Sequence, residues 1–266
     1  MRIPVRLKSG AMRLLAAGVI SSALALLAAP PAPAQQPDAK VLIYTGTGAH
    51  RHAAAINQGI GPIQNALDEA NIAYDWEDCD GYGTAPGQCH HPDKNPRIFT
   101  DENLAQYDAI FLFNAGGNEP GPLFDEEQRA AIRRFVNDGG GIAANHLATD
   151  MGAGQVSWGW WDGVGNSALG TTMPGHPPSP QTATMFVTDR NHPSTKDLPE
   201  SFEHSDEHYH FTRSVRGTHH VLITLDETDI DYPAGSNLPM GYDHPVSWCR
   251  LYDGGRIWAT ALGHYP

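Results

Sequence analysis

Five groups of residues carry the side chains needed for proton transfer or metal binding. They are His50/His52, His146 with Asp150, Asp206-Glu207-His208-Tyr209-His210, Asp243-His244, and His264. The chain has 14 histidines. Imidazole is the commonest transition-metal ligand and the side chain that titrates near neutral pH. Mixed His/carboxylate sets suit zinc and related divalent ions; a His beside a carboxylate equally suits metal-free acid–base chemistry. No compact ligand motif such as His-Glu-x-x-His occurs. Both readings therefore stay open, beside a third in which these groups are polar networks and surface histidines. Side chains of an extended segment alternate in direction. Asp206, His208 and His210 thus share one side and Glu207 and Tyr209 the other, and only one set can face a given site.

The element expected to position this chemistry is the apolar run Gly140-Gly141-Ile142-Ala143-Ala144, which leads into Asn145-His146-Leu147-Ala148-Thr149-Asp150. A helical pattern over 126–137 precedes it and ends at Asp138-Gly139-Gly140. In an open parallel sheet, ligands bind beyond the carboxyl ends of the strands, so a strand that runs into His146 aims it at that crevice. α/β-Hydrolases and class I glutamine amidotransferases carry a Ser or Cys nucleophile on a strand-to-helix turn of this kind. Here the turn offers neither, which argues against nucleophilic acyl transfer.

Upstream, Val41–Thr45 reads as a buried strand, the loop through His50-Arg51-His52 follows, and Ile56, Ile60, Ile63 and Leu67 mark a helix over 53–70. Further strands are expected at 72–76 and 108–114, with a capped helical turn at Thr100–Leu104. This alternation predicts a doubly wound α/β sheet. After residue 150 helix signals are scarce. Residues 151–180 read as loop, and strands are expected at 182–188, 209–212 and 220–225. A hairpin over 246–262 turns at Asp253-Gly254-Gly255, so this half extends the sheet in antiparallel fashion. Trp158, Trp160 and Trp161 are either core or an aromatic wall for a ligand.

The first residues are not expected to belong to the fold. Arg2, Arg6, Lys8 and Arg13 precede the apolar stretch Leu14–Ala29, and Ala32-Pro33-Ala34 fits a small-residue cleavage site. Residues 1–34 therefore read as a signal peptide cleaved near Ala34, with an uncleaved anchor as the alternative. Residues 35–266 read as one α/β domain, periplasmic or secreted, with no membrane span. The net charge is −13, and the leader takes four basic residues and no acidic one with it. So acidic a chain argues against nucleic acid as a partner and favours a small molecule such as a sugar. Cys79 and Cys89 flank a Gly/Pro-rich loop and suit a disulfide in an exported protein, with a zinc site using His90 and His91 as the alternative. Cys249 reads as a buried apolar residue.

Several segments taken in order resemble the ThuA-like (trehalose-utilisation) family. They are Val41-Leu42-Ile43-Tyr44-Thr45 with His50-Arg51-His52, Phe99 through Leu104, Gly139 through His146 and Asp150, and His176-Pro177. Asp189 through Pro193, Ser205 through Tyr209, Asp243 through Cys249, and Ala261-Leu262-Gly263-His264 follow. The resemblance spans roughly 41–264. It implies a flavodoxin-like, class I glutamine-amidotransferase-like sheet and a role in carbohydrate catabolism, at the level of glycosides or 3-keto sugars. It also implies roughly another helix after His264. On the combined reading the catalytic candidates are His146, Asp150, Asp206, Glu207, Asp243 and His244. Substrate-binding candidates are His52, Asn114, Trp160, His176, Tyr209 and Trp248. A divalent metal such as zinc would sit on His146, Glu207, His244 and His264. A non-catalytic sugar-binding protein is the alternative.

Overall fold

The structure, a computed structural model, describes residues 37–48, 50–78, 98–117, 123–151 and 158–265. The proposed signal peptide and the Cys79/Cys89 loop lie outside the described residues. Strands β1 (Ala39–Tyr44), β2 (Ile72–Glu77), β3 (Ala109–Phe113) and β4 (Gly141–Asn145) are joined through helices α1 (Ala53–Glu69), α2 (Asp101–Leu104) and α3 (Glu126–Asn137). After β4 come a single 3-10 turn, His146–Asp150, and the short helix α4 (Gly159–Asp162). Strands β5 (Gln181–Val187), β6 (Ser201–Asp206), β7 (His220–Leu225), β8 (His244–Tyr252) and β9 (Gly255–Thr260) complete one nine-stranded mixed sheet, in the order β2-β1-β3-β4-β9-β8-β7-β5-β6.

The parallel half is β2-β1-β3-β4-β9. Its order reverses between β1 and β3, the kind of switch point beyond which α/β sheets bind ligands. Its helices follow from local sequence. Asp125 and Gln128 form a reciprocal capping box at the start of α3, which satisfies two otherwise orphaned N–H groups. Ala131, Ile132 and Val136 then bury one α3 stripe against Leu42, Tyr44, Ile110 and Leu112. Helix α1 covers the other sheet face, where Ile60 meets Ile43 and Phe113. Side-chain alternation along β1 and β3 explains why neighbouring residues serve different cores.

The second half is antiparallel from β9 outward. The β8–β9 hairpin turns on Asp253 and Gly254, both with positive φ (51° and 98°), as a two-residue I′ turn requires. One expectation fails here. Residues 209–212 form no strand beyond a single bridge from His210 to Gly175; the strand is β6, just before them. As the sheet's last strand, β6 has exposed and half-buried residues in alternation, so Ser-Phe-Glu-His-Ser-Asp lacks the apolar run that marks an inner strand.

Among the described residues no helix is long and apolar enough to cross a membrane.

Candidate metal centre

Strand β4 delivers His146 to the crevice in a left-handed backbone conformation (φ 45°). That strain is uncommon for a residue with a Cβ and is found where surrounding structure over-determines it. What over-determines His146 is the main chain after β9. The His146 imidazole donates from Nδ1 to the carbonyl of Ala261 at 2.6 Å. Asn145 donates to Leu262 O at 2.7 Å and Asn114 to Gly263 O at 3.0 Å. Asp206, fully buried at the end of β6, accepts from the N–H groups of Gly263 (2.6 Å), His264 (3.0 Å) and Tyr265 (3.3 Å). Burial alone would raise the Asp206 carboxyl. The His204 contact and the backbone donors outweigh it and hold the group at about 2. The polar residues at the ends of β3, β4 and β6 thus hold residues 261–265 in place and present His264 to His146.

Four side chains meet there: His52 before α1, His146, Glu207 after β6, and His264, with ligand atoms all within 4.8 Å of one another. Glu207 lies 3.4 Å from His146 Nε2, 3.0 Å from His264 Nδ1 and 3.3 Å from His176 Nε2. Burial pushes the Glu207 carboxyl up, but the imidazoles around it prevail and keep it at about 2, so it is a carboxylate at neutral pH. His52 is driven down to about 3 by burial, then by His146 and His264, and is neutral.

The decisive atom is His146 Nε2. Because Nδ1 faces a carbonyl, which can only accept, Nδ1 carries a proton, and Nε2 is the atom left to face the site. That nitrogen is buried without a hydrogen-bond partner and faces a carboxylate oxygen at 3.4 Å. His52 Nδ1 is also buried and unpartnered. Orphaned buried polar atoms are costly, and an imidazole nitrogen facing a carboxylate oxygen is satisfied by a cation between them, either a proton or a metal ion. Three imidazoles and one carboxylate, with one imidazole oriented by a backbone carbonyl, fit a zinc-type divalent ion.

This group opens on a cleft of about 770 Å³ whose lining includes His52, Asp150, His176, Glu207, Tyr209 and His264. The Tyr209 ring stacks on His146 at 4.1 Å between centroids. Glu207 and Tyr209 do share a side, as alternation requires. Asp150 is pushed up to about 8, by burial first and then by Asp162 and Glu207, and its Oδ1 is buried without a partner. It enters the cleft as a protonated acid.

Several expected site residues lie elsewhere. His244 is not a ligand beside His146. It stands behind Tyr209, bonding the Tyr209 carbonyl at 2.9 Å and Glu227 at 2.9 Å, in a second group with His210. His52 takes its place; the spacing His50-x-His52 marked it, but nothing in sequence said which loop reaches Glu207. Asp243 pairs with Arg216 at 2.8 Å and Ser214 at 2.6 Å, outside the cleft. Asp206 and Asn114 position main chain and do not line the cleft. Trp248 is fully buried in β8, edge-on to Phe211. Trp160 stacks near Tyr252 and donates to Asp253 at 2.9 Å. Asp253 precedes β9, whose Arg256 pairs with Gly141 at the start of β4, so Trp160 sits at the sheet's other end.

A family model described as ThuA, trehalose utilisation, matches residues 40–266. Solved structures with the same fold include a ThuA-like protein from Bacteroides uniformis (23% identity, TM-score 0.65, covering 89% of this chain and 87% of that one). Another is a ThuA-like protein from Parabacteroides merdae (19% identity, TM-score 0.58, covering 86% and 80%). A third is a cytoplasmic protein from Salmonella typhimurium LT2 (16% identity, TM-score 0.54, covering 85% and 89%). No curated protein matches the chain.

Proposed function

The chain belongs to the ThuA, trehalose-utilisation, family, and we propose that it is an exported enzyme of carbohydrate catabolism that acts on a glycoside or 3-keto sugar by histidine–carboxylate proton transfer. Its framework is read as amidotransferase-like without the nucleophile. The observation that carries the proposal is the buried, unpartnered Nε2 of His146 aimed at the Glu207 carboxylate, which itself lines the cleft. His52, His146, Glu207 and His264 would hold a divalent ion such as zinc, which when bound polarises a sugar carbonyl or hydroxyl oxygen. The protein's own groups divide the remaining roles. Asp150, neutral at pH 7, donates a proton to a departing or developing oxygen; Glu207 stays ionised. Two carboxyls pushed apart by their environments are the pattern of an acid–base site. Tyr209 orients His146 by stacking. His176, at the rim and 39% exposed at the side chain, accepts protons from substrate and passes them to water.

Steady-state kinetics of His146→Ala and Asp150→Asn on a panel of disaccharides and their 3-keto forms tests this reading. Turnover should drop by about 10²–10⁴-fold in each with circular dichroism unchanged; undiminished turnover in both ends the proposal. The binding-only alternative drew on an aromatic wall, and Trp160 lies at the far end of the sheet. Calorimetric binding of a sugar with no turnover would still revive it.

A further inference from the structure

The inner group behind Tyr209 repeats the chemistry of the first in a sealed setting. His210 and His244 are fully buried and Glu227 nearly so. Glu227 Oε1 lies 2.9 Å from His244 Nδ1 and 3.6 Å from His210 Nδ1, and the three ligand atoms lie within 4.8 Å of one another. Each of the three is oriented from outside by main chain. His244 Nε2 donates to the Tyr209 carbonyl at 2.9 Å, which turns Nδ1 toward Glu227 Oε1, also at 2.9 Å, where either a proton or a shared ion can join the two atoms. His210 bonds the backbone of Leu238, and the Tyr232 hydroxyl lies 3.2 Å from its Nδ1, a contact that a bound ion would replace. Glu227 accepts the N–H groups of Met240 (2.7 Å) and Gly241 (2.6 Å).

We infer that His210, Glu227 and His244 form a second divalent-metal site, separate from the cleft, that takes a borderline first-row ion such as zinc. Two imidazoles and a carboxylate are a known three-ligand zinc set. Backbone partners that fix each ligand's orientation are what metal sites show in their surroundings. The ring planes of His210 and His244 stand at 65° with centroids 4.4 Å apart, so the rings converge without stacking face to face. The residues come from three separate segments: the stretch after β6, the 3-10 turn Glu227–Asp229, and the first position of β8. An ion there ties these segments together. Through the His244–Tyr209 hydrogen bond it also fixes the stretch that supplies Glu207 and Tyr209 to the outer cleft. The rival state of the same atoms is a metal-free imidazolium–carboxylate pair between His244 and Glu227. The inference does not depend on the reaction proposed above.

The test uses the full chain with His52→Ala, His146→Ala and His264→Ala, which removes three outer ligands and leaves the inner set whole. After stripping with chelator and reloading with Zn²⁺, elemental analysis should find one tightly held ion per chain, and loading should raise Tm. Adding His210→Ala and Glu227→Gln should remove both the ion and the rise. Cobalt in place of zinc reports the donors: nitrogen and oxygen ligands give visible ligand-field bands without the thiolate charge-transfer band that a Cys79/Cys89 site would add. A folded triple variant that holds no ion overturns the inference in favour of the imidazolium–carboxylate pair. So does an ion that survives the added substitutions or shows a thiolate band. Should the triple variant not fold, Glu227→Gln in the otherwise unaltered chain decides. A stoichiometry lower by one ion supports the site, and an unchanged one overturns it.

Discussion

Two glutamates, Glu207 and Glu227, stand on either side of Tyr209, each between imidazoles and each held at about 2 although burial pushes it up. Their surroundings differ in one respect that separates chemistry from structure. Glu227 is satisfied by its own framework: two backbone N–H groups and His244 meet it, and none of its group lines the outer cleft. Among the described residues Glu207 receives no backbone N–H: it is hydrogen-bonded to Ser179 and His264, has His146 and His176 close by, and faces about 770 Å³ of open space beside the unpartnered His146 Nε2. A carboxylate supplied by main chain is fixed in place; one supplied by titratable side chains at a cleft is available to a ligand. The same residue types, 20 positions apart, thus serve two ends.

The comparison is broken most directly at His146. Replacing it by Ala should abolish the outer ion and lower turnover by about 10²–10⁴-fold, with the inner site's stoichiometry unchanged. If the inner ion departs as well, the two groups are one unit and the contrast fails.

Asp150→Asn sharpens the outer site's acid–base reading. A carboxyl held at about 8 in the fold and near 3.8 when unfolded binds more protons in the native state between those values. Stability contributed by the proton is therefore lost as pH rises across that window. Activity that needs the protonated acid should fall above about pH 8. The Asn variant should lose the alkaline limb of the kcat profile, be more stable than the parent at pH 9, and turn over about 10²-fold more slowly at pH 7. A parent-like pH profile in the variant would remove Asp150 from the mechanism.

Asp206→Asn probes the frame instead of the chemistry. Its carboxylate accepts three N–H groups of the 263–265 segment from full burial, so removing the charge should cost about 3 kcal/mol by urea denaturation. The folded value lies below the ordinary one, so its contribution is present above about pH 4 and fades as pH falls toward 2. The variant should accordingly lose part of the parent's acid sensitivity in that range. Gly263→Ala is the milder version. At φ 118° a Cβ would lie 2.7 Å from Asn145 Nδ2, and about 1–3 kcal/mol of strain would push His264 off its position, raising KM more than it changes Tm.

Much of this was legible in the residues. The parallel half announced itself because strands buried on both faces read as apolar runs such as Val41-Leu42-Ile43 and Ile110-Phe111-Leu112, and the hairpin because Asp253-Gly254 fits only a tight turn. His146 was legible from its place at the end of β4. What could not be read was which distant loop completes its site. His52 and His244 are equal as types, and the choice between them is made by the loop after β1 reaching Glu207 while Tyr209 screens His244. Asn114 and Asp206 looked like site residues because polar groups at strand ends usually are; here Asn114 Nδ2 bonds the Gly263 carbonyl and Asp206 accepts the N–H groups of residues 263–265. Strand β6 was missed because an outer strand needs no apolar face on both sides.

The tryptophans give the smallest predicted effect and the cleanest check on where the site ends. Trp160 is held by Asp253, Tyr252 and Trp158 at the amino-terminal end of β4, while the cleft lies at the carboxyl end of that strand. Trp160→Phe loses one half-exposed hydrogen bond, worth about 0.5–1.5 kcal/mol, and keeps the stacking. It should lower Tm slightly and leave kcat, KM and the metal content of both sites unchanged. Tyr209→Leu makes the paired measurement, because it removes the ring stacked on His146 and should change kcat/KM while the Trp160 variant does not. If sugar binding instead weakened in Trp160→Phe and held in Tyr209→Leu, the ligand would be at the opposite end of the sheet, and the outer His–Glu group would be a structural centre like its inner counterpart.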